Sequence, residues 1–329
     1  MEPLAVVGGR LATGLVDVTS DLAALDSSGF WAVVLGFEGS VTCARFSSVR
    51  PARPWPGSPW VGPPRSAWQS SLSESEYCDG VVAIREAIAA GDVYQVNLCR
   101  VLSAPVDVPS IDVAALGAAL AEGNPAPYSA VVRVPGVQVV SASPERYLWR
   151  SGREVESRPI KGTAVGPDGF LPKDRAENVM IVDLVRNDLG RVCEYGSVTV
   201  PGLCEVEPHP GLFHLVSTVR GVLRAGVGWP ELIEATFPPG SVTGAPKLAA
   251  LDVIGKLEPS PRGPYCGAVG WVDADAGCGD LNVAIRTFWV DAGRLHFGTG
   301  GAITWDSTPD GEWEETELKA RRLLAVASS

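Results

Sequence analysis

Strand-like segments follow one another through this chain with few helices between them, and that succession limits the folds open to it. Apolar or alternating runs fall at 128–134, 137–142 and 145–149, and a further one runs into Ile160. Two more fall at 197–208 and 213–224. The last third repeats the pattern in "YCGAVGWV", "GDLNVAIRTFWV" and "RLHFGTGG". The first fifty residues do the same, with "FWAVVLGF" and "SVTCARF" set apart by a glycine turn. Strands in blocks, rather than alternating strictly with helices, predict an α+β fold and not a doubly wound parallel sheet.

Helical signals are fewer. "SESEYCDGVVAIREAIAAGD" opens with a serine cap and an acidic first turn. It carries a stripe at Val81, Ile84, Ala87 and Ile88 and stops at Gly91. Further helices are predicted at about 112–122, 173–190, 229–236, 244–257 and 312–327. Residues 51–66, "PARPWPGSPWVGPPRS", hold too much proline for a sheet or helix interior and predict a surface crossing. The chain thus divides into a short N-terminal strand region, 1–66, and a main region, 67–329. The two are expected to make one continuous globular domain.

Charge narrows the function. Lys and Arg number 27 against 38 Asp and Glu, a net charge of −11, and no basic block occurs. Nucleic acid and anionic membrane surfaces are therefore poor partners, whereas a small anionic substrate needs only a few local cations. The seven cysteines are scattered without a C-x-x-C pair, which fits free thiols in a reducing compartment. The three histidines do not pair at metal-ligand spacing. No basic-then-apolar leader and no membrane-length apolar run is found, so a soluble, cytoplasmic protein is expected.

Several short stretches can carry chemistry. Asp174 and Glu177 stand three apart near one predicted helix start, and Glu312 and Glu315 do so at another. Each pair shares a helix face. If the two helices converge, the four carboxylates suit Mg²⁺; alternatively, acids there simply complement the helix dipole. "FPPGSVTGAPK" (237–247) and "GTGGAI" (298–303) are small-residue loops that suit either an anion or a tight turn. Arg286, expected on an apolar strand in "NVAIRTF", calls for a carboxylate partner from ligand or protein. Glu145 in "SASPERYL" is a candidate general acid or a turn residue. In "SRPIKGTAVG", Lys161 stands between an apolar run and a glycine turn, either a solvated loop residue or an amine held at a site.

Together these segments resemble the chorismate-utilising enzymes. The stretches that match are "GDVYQVNLCR", "SASPERYL", "RPIKGT", "DRAENVMIVDLVRNDLGRV", "HLVSTVRG", "FPPGSVTGAPK", "YCGAVGW", "AIRTF", "GTGGAI" and "EETELKARRLL", in family order from about residue 74 onward. The resemblance implies a sandwich of two large, mainly antiparallel sheets flanked by helices. It implies Mg²⁺ on Glu177 and Glu315, with Asp174 and Glu312 nearby, holding the ring carboxylate of chorismate. Arg286, Tyr265 and the Gly300–Gly301 backbone would take the enolpyruvyl carboxylate. Thr163, Thr243 and His214 would line the pocket, and Glu145 would protonate the departing C4 hydroxyl.

Two positions separate the branches of the family. Gln95 stands where the water-adding members resemble one another in carrying a lysine base. "PIKGT" resembles the aminodeoxychorismate synthase component I branch, in which the lysine attacks C2 and ammonia then enters at C4. Anthranilate synthases usually read "PIAGT". The resemblance therefore implies that Lys161 is a nucleophile serving 4-aminobenzoate and folate synthesis. The alternatives are an anthranilate synthase component I or an inactive scaffold. The stretch "AVGPDGFLP" is compact beside the family's usual loop, and no Leu-Leu-Glu-Ser regulatory element is found. Without a fused amidotransferase or lyase, ammonia is expected from a separate glutaminase subunit, with a lyase acting downstream.

Overall fold

A computed structural model describes residues 1–53, 59–108, 110–209 and 212–328. The middle of the proline-rich crossing, 54–58, lies outside them. All strand pairings among the described residues are antiparallel. One sheet runs from Val41–Pro51 through Arg10–Thr19, Leu4–Val7, Tyr128–Val134, Val137–Ser143, Thr287–Asp291 and Arg294–Ile303 to Gln95–Pro105. The other starts from the same Val41–Pro51 strand. It continues through Phe30–Leu35, Ala268–Asp273, Cys278–Val283, Arg146–Ser151, Glu154–Arg158 and Leu212–Val222 to Thr199–His209. The α+β class expected from the strand blocks and the two-sheet sandwich implied by the family resemblance are thus observed, with N-terminal strands built into both sheets.

Alternation along the strands explains how the layers stack. Ala5, Val7 and Val132 enter one apolar core with Trp31, Val33 and Val269 of the opposing sheet. Leu4 and Val131, one residue out of step, enter a second core with Phe288, Phe297, Leu116 and Leu324. The first sheet is therefore buried on both faces, between the facing sheet and a helical layer, so its strands read as near-continuous apolar runs.

Six helices occur among the described residues: α1 (Glu74–Ala90), α2 (Val113–Gly123), α3 (Pro172–Gly190), α4 (Trp229–Thr236), α5 (Lys247–Leu257) and α6 (Pro309–Ala327). The start and end of α1 are local chemistry. Ser73 and Glu76 form a reciprocal capping box, and Gly91 closes the helix at φ 82°.

Three expectations need correction. The helix placed at 244–257 begins at Lys247, because Gly244 and Ala245 pair as a short strand with Val96 and Gln95. The last helix begins at Pro309, a turn before Glu312. Residues 279–290 are not one strand. Cys278–Val283 belongs to one sheet and Thr287–Asp291 to the other, and Arg286 sits at the crossing with φ +53°. Arg286 is therefore not a strand residue.

Candidate active site

Lys161 lies on the short strand Ile160–Ala164, which continues the Glu154–Arg158 strand beyond Pro159 along Leu212–Val222. The register slips by one at Gly162. Lys161 pairs with Leu215, and Thr163 pairs with the next residue back, His214. Gly162 takes φ +80°, which a side chain disfavours, and a Cβ there would sit 2.9 Å from Asp174 Cβ. The bulge re-aims Lys161 and Thr163, which a regular strand would project from one face. Thr163 Oγ1 then meets His214 Nδ1 at 3.0 Å.

Helix α3 is fastened to the same strands, with Asn178 Nδ2 donating to Leu215 O at 3.1 Å. That puts Glu177 beside Lys161. The amine is pushed below its ordinary range by burial, with the charges of Glu177 and Glu145 opposing and Lys319 assisting. Glu145 is buried at 4% exposure. Burial raises its carboxyl to about 7, against the pull of a Ser241 hydrogen bond, the Lys161 charge and the Ile160 backbone. An acid with that environment is poised near neutral pH.

The two acidic helix starts converge although about 140 residues of chain separate them. Burial raises the carboxyl of Glu177, and the charges of Asp174 and Glu315 add to it. Glu312 is raised by burial and then by Glu315 and Glu177. Ser307 donates to Glu312 Oε1 at 2.6 Å, while Oε2 is buried without a hydrogen-bond partner among the described residues. Glu315 is held down chiefly by Lys319, whose Nζ lies 2.6 Å away. Asp174 also has a local duty, accepting the Leu171 N–H at 2.7 Å as a helix cap. Convergent carboxylates and an orphaned carboxylate oxygen fit a hard cation. No ready cage of three or more His, Cys, Asp or Glu groups occurs among the described residues.

The anion-binding candidates fall into place differently. The Arg286 guanidinium is held below its ordinary range by burial and by Arg322, and it forms no salt bridge among the described residues. A buried cation facing another cation suits an anionic ligand. Tyr265 is buried against Gly298, where a Cβ would meet its ring at 2.1 Å. A Cβ at Gly300 would meet Leu98 O at 2.5 Å, and the Gly300 carbonyl already accepts Lys319 Nζ at 3.0 Å. Gly301 backs onto Glu312. The glycine run therefore serves close packing as well as any ligand. Thr243 donates its hydroxyl to Pro239 O at 2.7 Å, leaving it only acceptor capacity. Gln95 is fully buried, and neither its Nε2 nor its Oε1 has a hydrogen-bond partner among the described residues.

Sequence reasoning missed Lys319 and Ser241. Lys319 had a signal, since it follows Glu315 by four residues on a helix, the spacing of an ion pair. Ser241 had none beyond its small-residue loop.

The chorismate binding enzyme family fits residues 53–325. The chain belongs to this family. Its relatives include an aminodeoxychorismate synthase component 1 of Klebsiella aerogenes, 41% identical over 273 residues, which cover 79% of this chain and 59% of the relative. They also include an anthranilate synthase component 1 of Streptomyces coelicolor, 41% identical over 272 residues, covering 79% and 52%. The chain thus spans little more than half the length of these two chorismate-binding relatives. The crystal structure of anthranilate synthase component I from Streptococcus pneumoniae shares the fold at TM-score 0.81 and 24% identity, over 98% of this chain and 91% of that one.

Proposed function

We propose that this chorismate-binding chain is the aminating component of an aminodeoxychorismate synthase. The observation that carries the reading is the pairing of Lys161, an amine lowered by burial, with Glu145, an acid raised by burial to about 7. A lysine at its solution pKa of ~10.4 is almost wholly protonated at neutral pH and a poor nucleophile. Depressing it exposes the lone pair while Glu145 keeps a proton to give. Lys161 Nζ attacks C2 of chorismate, both ring double bonds shift, and the C4 hydroxyl leaves as water with the proton of Glu145. Ammonia then attacks C4, both double bonds shift back, and Lys161 departs from C2 as the free amine. Gln95, which has no comparable basicity, does not activate water in place of ammonia.

Glu177 and Glu315, with Asp174 and Glu312, would hold Mg²⁺. When bound, it supplies the positive charge that pairs with the ring carboxylate. Arg286 and Tyr265, with the Gly300–Gly301 backbone, take the enolpyruvyl carboxylate. Thr163, His214 and Thr243 bound the ring. Ammonia comes from a separate glutaminase subunit, and a lyase then gives 4-aminobenzoate for folate. Seven unpaired cysteines support a cytoplasmic setting, and no helix among the described residues is long and apolar enough to cross a membrane.

The test is product analysis with chorismate, Mg²⁺ and ammonium at alkaline pH, with and without an added aminodeoxychorismate lyase. 4-Aminobenzoate should appear only with the lyase, and Lys161→Ala and Lys161→Gln should lose at least about a hundredfold in rate. Anthranilate without lyase would make the chain an anthranilate synthase component. Full rate in the lysine variants would remove Lys161 from the chemistry.

A further inference from the structure

A small cavity opens against Glu145 beneath α3, about 20 Å³ in volume, room for one water molecule. Its polar lining is Glu145, Tyr147, Ser157, Asp188, Thr236 and Ser241. Two of these have no proton to spare. Thr236 donates to Leu232 O at 2.8 Å, so Tyr147 donates to Thr236 Oγ1 at 2.6 Å. Ser241 is engaged with Glu145. Ser157 is a buried residue at 6% exposure, and its hydroxyl makes no hydrogen bond among the described residues. Across the cavity stands Asp188, paired with Lys247 Nζ at 2.6 Å; the two side chains keep 9% and 15% exposure.

The amination proposed above sets a demand on this region. Chorismate, ammonia and one proton give aminodeoxychorismate, as its ammonium form, and water. The proton enters through Glu145, which gives it to the departing hydroxyl and is left a carboxylate. Ammonia keeps its three hydrogens in the product ammonium group, so Glu145 must be recharged from outside, although it is almost wholly shielded from solvent.

Resting on that reading, we propose that one water molecule bound in this cavity, between Asp188, Ser157 and Glu145, returns a proton to Glu145 in each turnover, with Asp188 as the entry point. The water gives a proton to Glu145 and takes one from Asp188, which is reprotonated from solvent. The charged groups facing the path are Lys161 at Glu145, and Lys247 and Arg191 at Asp188. Burial raises the Asp188 carboxyl against the pull of Lys247, which helps it carry a proton in passing.

Two variants and one density map test the relay. Ser157→Val fills the cavity with methyl groups, and Asp188→Asn removes the entry acid. Each should lose on the order of tenfold or more in kcat with ammonium, most steeply on the alkaline side, with KM for chorismate unchanged and a larger solvent deuterium effect. A crystal structure of the wild-type protein should hold an ordered water in the cavity. A dry cavity overturns the proposal, as do folded variants with the wild-type kcat and pH profile. If Ser157→Val fails to fold, Asp188→Asn and the density decide. A wild-type protein that makes no aminodeoxychorismate overturns the functional reading itself, an outcome distinct from active wild type with indifferent variants.

Discussion

Glu145 shows how burial can move an ordinary carboxyl up toward neutral pH. Its folded pKa is raised from 4.5 to about 7, so between those values the folded chain binds more protons than the unfolded one. Stability therefore falls as pH rises through that window and levels off above it. Glu145→Gln is neutral throughout and escapes the penalty. Wild type and variant should match in denaturant unfolding near pH 4.5. The wild type should be weaker by up to roughly 3 kcal/mol above pH 8. An unchanging difference between the two across that range would show that the carboxyl is not raised. Gln95 is the complementary case, a neutral amide buried with no hydrogen-bond partner among the described residues, an arrangement that costs stability.

The bulge at Gly162 decides where the strand 160–164 sends its side chains. Thr163 and His214 meet only because the register slips there, and no local pattern in "PIKGTAV" announces the slip. Gly162→Ala must accept a left-handed backbone and a Cβ pressed against Asp174 and Phe170. We expect a loss of about 1–3 kcal/mol in unfolding free energy, and a fall in product formation beyond what that loss explains. An alanine variant equal to wild type in both would mean that the bulge is tolerant and carries no function. Helix α1 is the contrast. Its capping box and closing glycine are neighbours in sequence, so its bounds were readable. The start of α5 was not, because Gln95 and Val96 claim Gly244 and Ala245 from 150 residues away.

The fold has one strand on which both sheets depend. Val41–Pro51 pairs with Arg10–Thr19 on one edge and Phe30–Leu35 on the other. Removing residues 1–66 would expose Ala268–Asp273 and Tyr128–Val134 as new sheet edges and open the core between the layers. Residues 67–329 expressed alone should be insoluble or unfold without a cooperative transition. A soluble fragment with a sharp transition and native near-UV circular dichroism would show the N-terminal strands to be an accessory layer. The C-terminal part of the proline-rich crossing is tied to the last helix, with Trp60 donating to Ala327 O at 3.1 Å, and just after the crossing Trp68 donates to Ser328 Oγ at 3.1 Å.

The sequence by itself determined the α+β class, the helices with local caps, and the residue types of the site. Those depend on period, capping and composition, which act over a few residues. Tertiary structure alone decided the rest. It turned Arg286 out of a strand at the sheet crossing, brought the two acidic helix starts together, and set Gly300 tightly against the backbone of Leu98. Each of these depends on register, or on the meeting of α3 and α6 across the sandwich. Such meetings are settled by the summed burial of two sheets and their helices, which no short stretch of chain encodes.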